Sequence, residues 1–184
     1  NIDNKIENIS FEKPAMEEII LEDNTKEKDR YRYGIRINTD ININKEGTWT
    51  TWFSNGNRKE ESNFKTGKLN GSITKWYEGG TKSEEGTYDN GKQNGKWTWY
   101  WESGIKKEIT TFIDGQQEGL WITWYKDGTK KSERKFSNGE RDSVWTAWYE
   151  DGNKKFQATY SNGKLNGSWT SWYSGGIVKE KTGF

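Results

Sequence analysis

From Gly47 onward, hydrophobic and polar residues follow a pattern that recurs every 24 residues. The clearest copy runs from Gly119 to Asp142 and reads GLWITWYKDGTKKSERKFSNGERD. In each copy, aromatic residues alternate with polar ones in two short runs, and turns containing Gly separate the runs. Such alternation predicts β-strands, and a fixed period of this length is typical of repeat proteins.

We therefore predict an all-β repeat protein, built as an elongated, twisted, single antiparallel β-meander with two strands per repeat. The six copies span residues 47–70, 71–94, 95–118, 119–142, 143–166 and 167–184. The tight turns between strands require residues with positive φ, which explains why Gly recurs there. We expect at least eleven strands and no helix after Gly47, preceded by a short irregular N-terminal cap.

The register of the strands follows if the first turn of each repeat is a two-residue loop; a three-residue turn with a bulge is the alternative and would shift the register by one. With the two-residue loop, the third residue of a repeat faces the sixteenth, which gives the pairs Trp49/Ser62, Ile73/Gly86, Trp97/Thr110, Trp121/Arg134, Trp145/Ala158 and Trp169/Thr182. Most of these pairs place a large side chain opposite a small one, as stable cross-strand pairs do. The same register pairs each opening Gly with an aromatic residue, as Gly119 with Phe136.

This register sorts the rings onto two faces of the sheet. We call the face with Trp121, Tyr125 and Phe136 the core face, and the other, polar face the outward face. The outward face carries one aromatic residue per repeat, namely Trp52, Trp76, Tyr100, Trp124, Trp148 and Trp172. We expect Lys59, Ser83, Lys107, Lys131, Lys155 and Lys179 to lie opposite them. We also expect Trp97, Trp121, Trp145 and Trp169 to be more buried than Trp124, Trp148 and Trp172.

Residues 1–46 do not follow the repeat and form a separate, polar N-terminal region. Apolar residues at helical spacing predict a short helix over residues 11–22. Alternating residues at 31–37 and 41–43, with Asn38-Thr39-Asp40 between them, predict a hairpin. Such a hairpin would cover the edge strand of the first repeat. A disordered leader is the alternative.

The composition limits the chemistry that the chain can perform. It has a formal net charge of +1, which argues against nucleic-acid binding, and neither Cys nor His, the commonest catalytic and metal-binding side chains. We expect no catalytic residues, no metal and no cofactor.

No apolar run reaches membrane-spanning length. The chain begins at Asn1 without Met, and we leave open an exported or cell-surface protein with its signal removed, or a cytoplasmic one.

The repeats contain, in order, Gly, x-Trp, two adjacent aromatics, Gly, a Lys-rich strand, an aromatic and Asn-Gly-Lys-x-x-Gly. This order resembles the MORN repeat, in the bacterial variant form common among YwqK-family antitoxins. The resemblance covers residues 47–184. Three residues depart from it. Ile73 replaces the first Trp of its repeat, Ser143 replaces the opening Gly, and Val178 replaces a Lys. The resemblance implies a twisted sheet that contacts proteins or membranes, and the antitoxin subgroup implies a toxin as partner.

Three functions fit the repeats to different degrees. An enzyme is disfavoured, because Glu60, Glu84, Glu108 and Glu180 recur along the whole sheet, where a catalytic pair would break the series. An aromatic ladder could bind carbohydrate or the cell wall. A non-enzymatic binding or scaffold module with a protein partner is our preferred hypothesis, with the outward aromatic row as its site.

Lipid binding is disfavoured, because no dense basic cluster accompanies the rings. The alternative for the row is that Lys stems and Thr methyls cover its rings.

Overall fold

The computed structural model describes residues 31–32, 35–36 and 45–183. Its strands are β1 (Tyr31–Arg32), β2 (Ile35–Arg36), β3 (Gly47–Trp52), β4 (Arg58–Lys65), β5 (Lys68–Trp76), β6 (Lys82–Asp89), β7 (Lys92–Gln93), β8 (Gly95–Tyr100), β9 (Lys106–Ile113), β10 (Gln116–Trp124), β11 (Lys130–Ser137), β12 (Glu140–Trp148), β13 (Lys154–Ser161), β14 (Lys164–Trp172) and β15 (Val178–Gly183). The described residues contain no helix.

Strands β3 to β15 form one open antiparallel sheet of 13 strands. Apart from the short β7, which pairs only with β6, each strand pairs with the strands before and after it along this path, so the sheet is a meander with β3 and β15 at its edges. Strands β7 and β8 correspond to the single strand that opens other repeats, and the ladder breaks between them at Asn94. The all-β meander with two strands per repeat and no helix after Gly47 is therefore confirmed.

The N-terminal hairpin is only partly as predicted. Strands β1 and β2 pair antiparallel, with Arg32 opposite Ile35, so the chain reverses inside the segment that we predicted as one strand at 31–37. That prediction is wrong, and the sequence offers a reason, since Gly34 stands between the two paired segments in sequence and Gly is frequent where a chain reverses. The predicted helix at 11–22 and the second hairpin strand at 41–43 lie outside the described residues.

The predicted cross-strand register is confirmed in all repeats. The structure pairs Trp49 with Ser62, Ile73 with Gly86, Trp97 with Thr110, Trp121 with Arg134, Trp145 with Ala158 and Trp169 with Thr182. Each opening residue also faces an aromatic where the structure describes the partner, as Gly119 faces Phe136. The alternation of large and small side chains therefore sets this register.

The first turn differs from the expected two-residue loop. In repeat 119–142, Gly128 has a φ of +92° and donates its N–H to the Tyr125 carbonyl, and Tyr125 donates to the Thr129 carbonyl. This is a three-residue turn, and a β-bulge at Lys131 restores the register, because Thr123 pairs with Ser132 while Trp124 pairs with Lys130. The predicted opposite residues are therefore wrong by one position. The outward aromatics face Arg58, Lys82, Lys106, Lys130, Lys154 and Val178 instead.

The core is small and lies in the middle of the core face. Trp97 is 0% exposed and packs against Tyr88, Trp99 and Phe112 at ring-centroid distances of 5.0, 5.6 and 6.3 Å. Trp121, Trp145 and Trp169 are only half-buried, as are Trp124, Trp148 and Trp172. The predicted burial difference therefore holds for Trp97 alone. A one-layer sheet has no second layer to cover its rings, so burial depends on lateral neighbours.

Candidate functional site

The candidate site is the outward face, where the sequence predicts a row of aromatic residues. All six members of the row, Trp52, Trp76, Tyr100, Trp124, Trp148 and Trp172, are half-buried. They occupy the last position of the first strand in each repeat, so strand pairing brings them to equivalent places along the sheet. Neighbouring members are two strands apart, which corresponds to about 9.5 Å between successive rings.

Cations cover several of these rings, but they come from the preceding repeat. Lys130 Nζ lies 5.4 Å from the centroid of Trp148, Lys154 Nζ lies 5.7 Å from Trp172, and Arg58 Cζ lies 6.0 Å from Trp76. These distances are typical of cation–π contacts. The alternative reading, that basic side chains cover the row, is thus correct for these three rings, although the predicted Lys residues are not the ones involved.

The bulge explains how the outward cations are neutralised. Residues i and i+3 of a regular strand point to opposite faces, but the extra residue at the bulge places both on one face. Lys82 and Lys130 thereby reach Glu85 and Glu133 at 2.8 Å each, and Arg58 reaches Glu61 at 3.4 Å. The outward face therefore combines half-buried rings with at least three cations that are paired with carboxylates.

Tyr100 is held more firmly than a surface tyrosine. Its hydroxyl donates a hydrogen bond of 2.5 Å to Glu85 Oε1. Burial and this bond raise the pKa of Tyr100 from 10.0 to about 12. The pKa of Glu85 is lowered by its hydrogen bonds to Lys82 and Tyr100, against the opposing effect of burial. Both shifts stabilise the neutral phenol and the charged carboxylate at neutral pH.

Aliphatic residues interrupt the polar outward face at its centre, which sequence reasoning missed. One row of cross-strand neighbours on this face consists mostly of Thr residues that face Glu or Gln on the adjacent strands. In the same row, β9 and β10 place Ile109 opposite Ile122. Beside this pair, Leu120 is 50% exposed, and Val144 on β12 is 45% exposed. The signal was present in the sequence, since Leu120 and Val144 stand where other repeats carry Thr, Ser or Lys.

We call Leu120, Ile122, Trp124, Val144 and Trp148 the central outward patch. Alternation along β10 places the first three on one face, and alternation along β12 adds the other two. Their positions combine aliphatic side chains with two rings of the predicted row. The patch adjoins charged pairs such as Lys130–Glu133. This pair lies on β11, between the two strands of the patch, because Lys130 faces Trp124 and Glu133 faces Ile122. The patch therefore interleaves apolar side chains with paired charges, a mixture that occurs in protein-contact surfaces.

Two of the recurring glutamates flank one lysine in the sheet. Glu60 and Glu84 lie on either side of Lys75 in neighbouring strands, and Lys75 Nζ is 3.4 Å from Glu84 Oε1. Among the described residues, no group of three or more acidic side chains could hold a metal ion. That part of the chain also includes no helix long and apolar enough to cross a membrane.

Comparison with known proteins identifies the repeat. Residues 45–66, 93–114, 117–138 and 141–162 match the family model of the MORN repeat variant. The chain thus contains repeats of MORN type, and MORN repeats are generally protein- or membrane-binding modules. Residues 67–92 and 163–184 lie outside the matched segments, yet β5, β6, β14 and β15 form there by the same two-strand plan. No curated protein matches the chain in sequence.

Proposed function

We propose that this protein is a non-enzymatic binding module that contacts another protein through its outward face. The central outward patch carries the proposal. Leu120 and Val144 are each about half exposed, beside the half-buried rings of Trp124 and Trp148. They are on β10 and β12, two strands apart on the same face. Exposed apolar groups on one face favour association, and Trp often dominates interface energy.

The surface suits a protein better than the alternatives. A sugar ring stacks on an open aromatic face, but Lys130 and Lys154 lie over Trp148 and Trp172. Aliphatic Leu120 and Val144 add nothing to sugar recognition. An anionic membrane needs unpaired cations, whereas Lys82 and Lys130 are paired with Glu85 and Glu133.

The partner should present a flat surface or an extended segment. The rings recur at one per repeat over a row of about 48 Å, which is five steps of two strands each. An antitoxin-like role, with a toxin as that partner, is a finer form of the same proposal. The family match concerns the repeat and does not distinguish subgroups within it.

The test begins with the partner captured by the full chain from its source cell and identified by mass spectrometry. Its affinity is then measured by calorimetry for wild type and for the double variant Trp124→Ser/Trp148→Ser. We expect the affinity to fall by about tenfold or more, since interface Trp residues are frequent hot spots. The matched control is Tyr173→Ser, which removes a ring that is 55% exposed on the core face. A folded double variant with wild-type affinity would refute the proposal.

A further inference from the structure

A groove with a volume of about 370 Å³ crosses the core face over repeats 95–118 to 143–166. Its floor contains Thr123, Ser132 and Ala147, which are cross-strand neighbours on β10, β11 and β12. The same row has Trp99 on one side and Phe156 on the other. Three small residues in succession therefore create a depression between large ones.

The charges around this groove are uneven. Lys107, Lys131, Lys155 and Arg134 line it, against one carboxylate, that of Glu108. Lys107, Lys131 and Lys155 form no salt bridge with any residue that the structure describes, and each lies over an aromatic ring, at 4.8, 5.4 and 5.4 Å. Three of the outward cations, by contrast, have carboxylate partners, namely Arg58, Lys82 and Lys130. Lys154 contacts the side-chain amide of Gln157 instead. The groove is thus a positive surface on a chain of nearly neutral net charge.

Arg134 is the most constrained of these cations. Its guanidinium carbon lies 4.6 Å from the Trp121 ring and 5.0 Å from the Trp145 ring, so two indoles hold it in place. Nη2 donates a long hydrogen bond of 3.3 Å to Ser132 Oγ, and the buried Nε has no acceptor among the described residues. A guanidinium that is fixed, partly desolvated and without a carboxylate partner is prepared to bind an anion.

Glu108 is the one group that opposes an anion in the groove. Burial raises its pKa, while Arg134, Lys107 and the indole N–H of Trp121 act in the opposite direction. The Trp121 contact is loose, because Nε1 forms no hydrogen bond of ordinary geometry. Glu108 forms no salt bridge with Arg134 in the described structure, so it does not complete the pairing of the guanidinium.

We infer that this groove binds an acidic segment of a protein partner, with Arg134 receiving a carboxylate and Lys107, Lys131 and Lys155 flanking it. The three Lys recur once per repeat, at spacings of about 9.5 Å, so they suit carboxylates distributed along a chain better than one small anion. Strand alternation places Arg134 and Ser132 on the face opposite Leu120 and Val144, although Trp124 and Trp148 of the central outward patch also line the groove. The inference rests on the cations of the groove and not on the function proposed for the patch.

The test uses the full chain and a fluorescent, end-capped hexaglutamate peptide, with hexaglutamine as the neutral comparison. We expect binding of hexaglutamate only, weakening as salt screens the charges. Arg134→Gln should weaken binding by about tenfold or more, as for a lost charge-assisted hydrogen bond. Lys131→Gln should weaken it by about two- to fivefold, and Glu108→Gln should strengthen it by a similar factor.

The matched control is Lys130→Gln, one residue before Lys131 but on the outward face over Trp148. It should leave hexaglutamate binding unchanged. Near-ultraviolet circular dichroism checks the fold, and Lys107→Gln replaces Arg134→Gln in the test if the latter does not fold. Equal effects of Lys130→Gln and Lys131→Gln would overturn the inference, because binding would then be non-specific.

Two other occupants would give different results. If acetate or inorganic phosphate at millimolar concentration displaces the peptide, the site takes a small anion, and the inference fails. Residues 17–23 of the chain read EEIILED and are themselves acidic. If replacing Glu17, Glu18 and Glu22 with Gln strengthens peptide binding, this segment is the occupant and a partner protein is not. We expect no change from that replacement.

Discussion

At the residue scale, the ring of Trp97 packs directly on the backbone of Gly86. A Cβ built on Gly86 would lie 2.3 Å from Cδ2 of Trp97, and that ring is fully buried. Gly86→Ala should therefore lower the free energy of unfolding by roughly 1–3 kcal/mol, the usual cost of overpacking. Denaturant unfolding measures this cost. Gly79→Ala is the control, since nothing lies within 4 Å of that position, and an equal loss there would contradict the packing argument.

The Tyr100–Glu85 hydrogen bond predicts a pH dependence. A pKa raised from 10.0 to about 12 means that the folded protein holds the phenol proton more tightly than the unfolded chain does. This contribution to stability is therefore fully present below pH 10 and is lost as the pH rises towards 12. The difference in unfolding free energy between wild type and Tyr100→Phe should shrink over that range. A constant difference would show that the bond does not form in solution.

The sequence predicted cross-strand pairing correctly, because one opposite neighbour decides each pair. It did not predict the burial of each ring, because several neighbours decide burial together. The pairing of Trp97 with Thr110 follows from size alternation, as does that of Trp169 with Thr182. Their burial does not follow from it. Trp97 lies in mid-sheet among three rings, whereas Trp169 is beside the edge strand β15, all of whose residues are exposed. Position in the sheet, which a pairwise rule ignores, decides the difference.

At the scale of the strand and turn, the opening residue of each repeat adopts positive φ. Gly47, Gly71, Gly95, Gly119 and Gly167 have φ between 71° and 111°, and Ser143 has a φ of 60°. The sequence indicated a ring over this Gly, but its backbone conformation is the stronger constraint, because L-residues with a Cβ are strained there.

Ser143→Gly should therefore stabilise the protein by about 0.5–1 kcal/mol, despite the loss of the hydroxyl bond to Asp142. Thermal unfolding monitored by circular dichroism measures the change. Ser143→Ala removes the hydroxyl and keeps the strain, so it should give no gain. A lower thermal midpoint for Ser143→Gly would show that the hydroxyl matters more than the backbone.

The period alone could not reveal the bulge at the thirteenth residue of each repeat. A two-residue loop and a three-residue turn with a bulge give the same pairing at Trp121 and Arg134. They differ only near the turn, where Lys130 and not Lys131 faces Trp124. The recurring Lys-Lys or Arg-Lys at these positions gave no signal of the bulge, because adjacent side chains of a regular strand already point to opposite faces.

At the scale of the whole molecule, hydrogen bonds connect each repeat to the next. The side chains of Tyr77, Trp101, Tyr125 and Tyr149 donate to the carbonyls of Tyr100, Trp124, Trp148 and Trp172, respectively. The glycines of the second turns donate their backbone N–H groups to carbonyls of the strand before the hairpin, as Gly139 donates to the Gln117 carbonyl. Strands pair only with sheet neighbours, so stability should be a sum of nearest-neighbour terms.

Deleting residues 167–184 tests this additivity. The deletion removes β15 and most of β14, together with the bond from Tyr149 to Trp172, and leaves the cluster around Trp97 intact. The shortened chain should remain folded, with a modestly lower thermal midpoint. Complete unfolding, seen as loss of the β-sheet circular dichroism signal, would show that the last repeat is an essential cap.

The two candidate binding surfaces show where sequence reasoning reaches its limit at this scale. The outward row could be listed from the period, because its members share one position in every repeat. The central outward patch and the core-face groove arise from departures from the repeat, at Leu120 and Val144 on one face and Ser132 and Ala147 on the other. A repeat pattern emphasises what its copies share, so features made by single copies stay hidden until strands are placed side by side.

The central claim, that the outward face contacts a partner protein, is tested most directly by hydroxyl-radical footprinting of the full chain with and without the captured partner. Mass spectrometry then reports oxidation at each side chain. We expect complex formation to protect Trp124, Trp148 and Leu120, while Tyr173 on the core face remains as reactive as in the free protein. Protection of Tyr173 with unchanged oxidation of Trp124 and Trp148 would contradict the account.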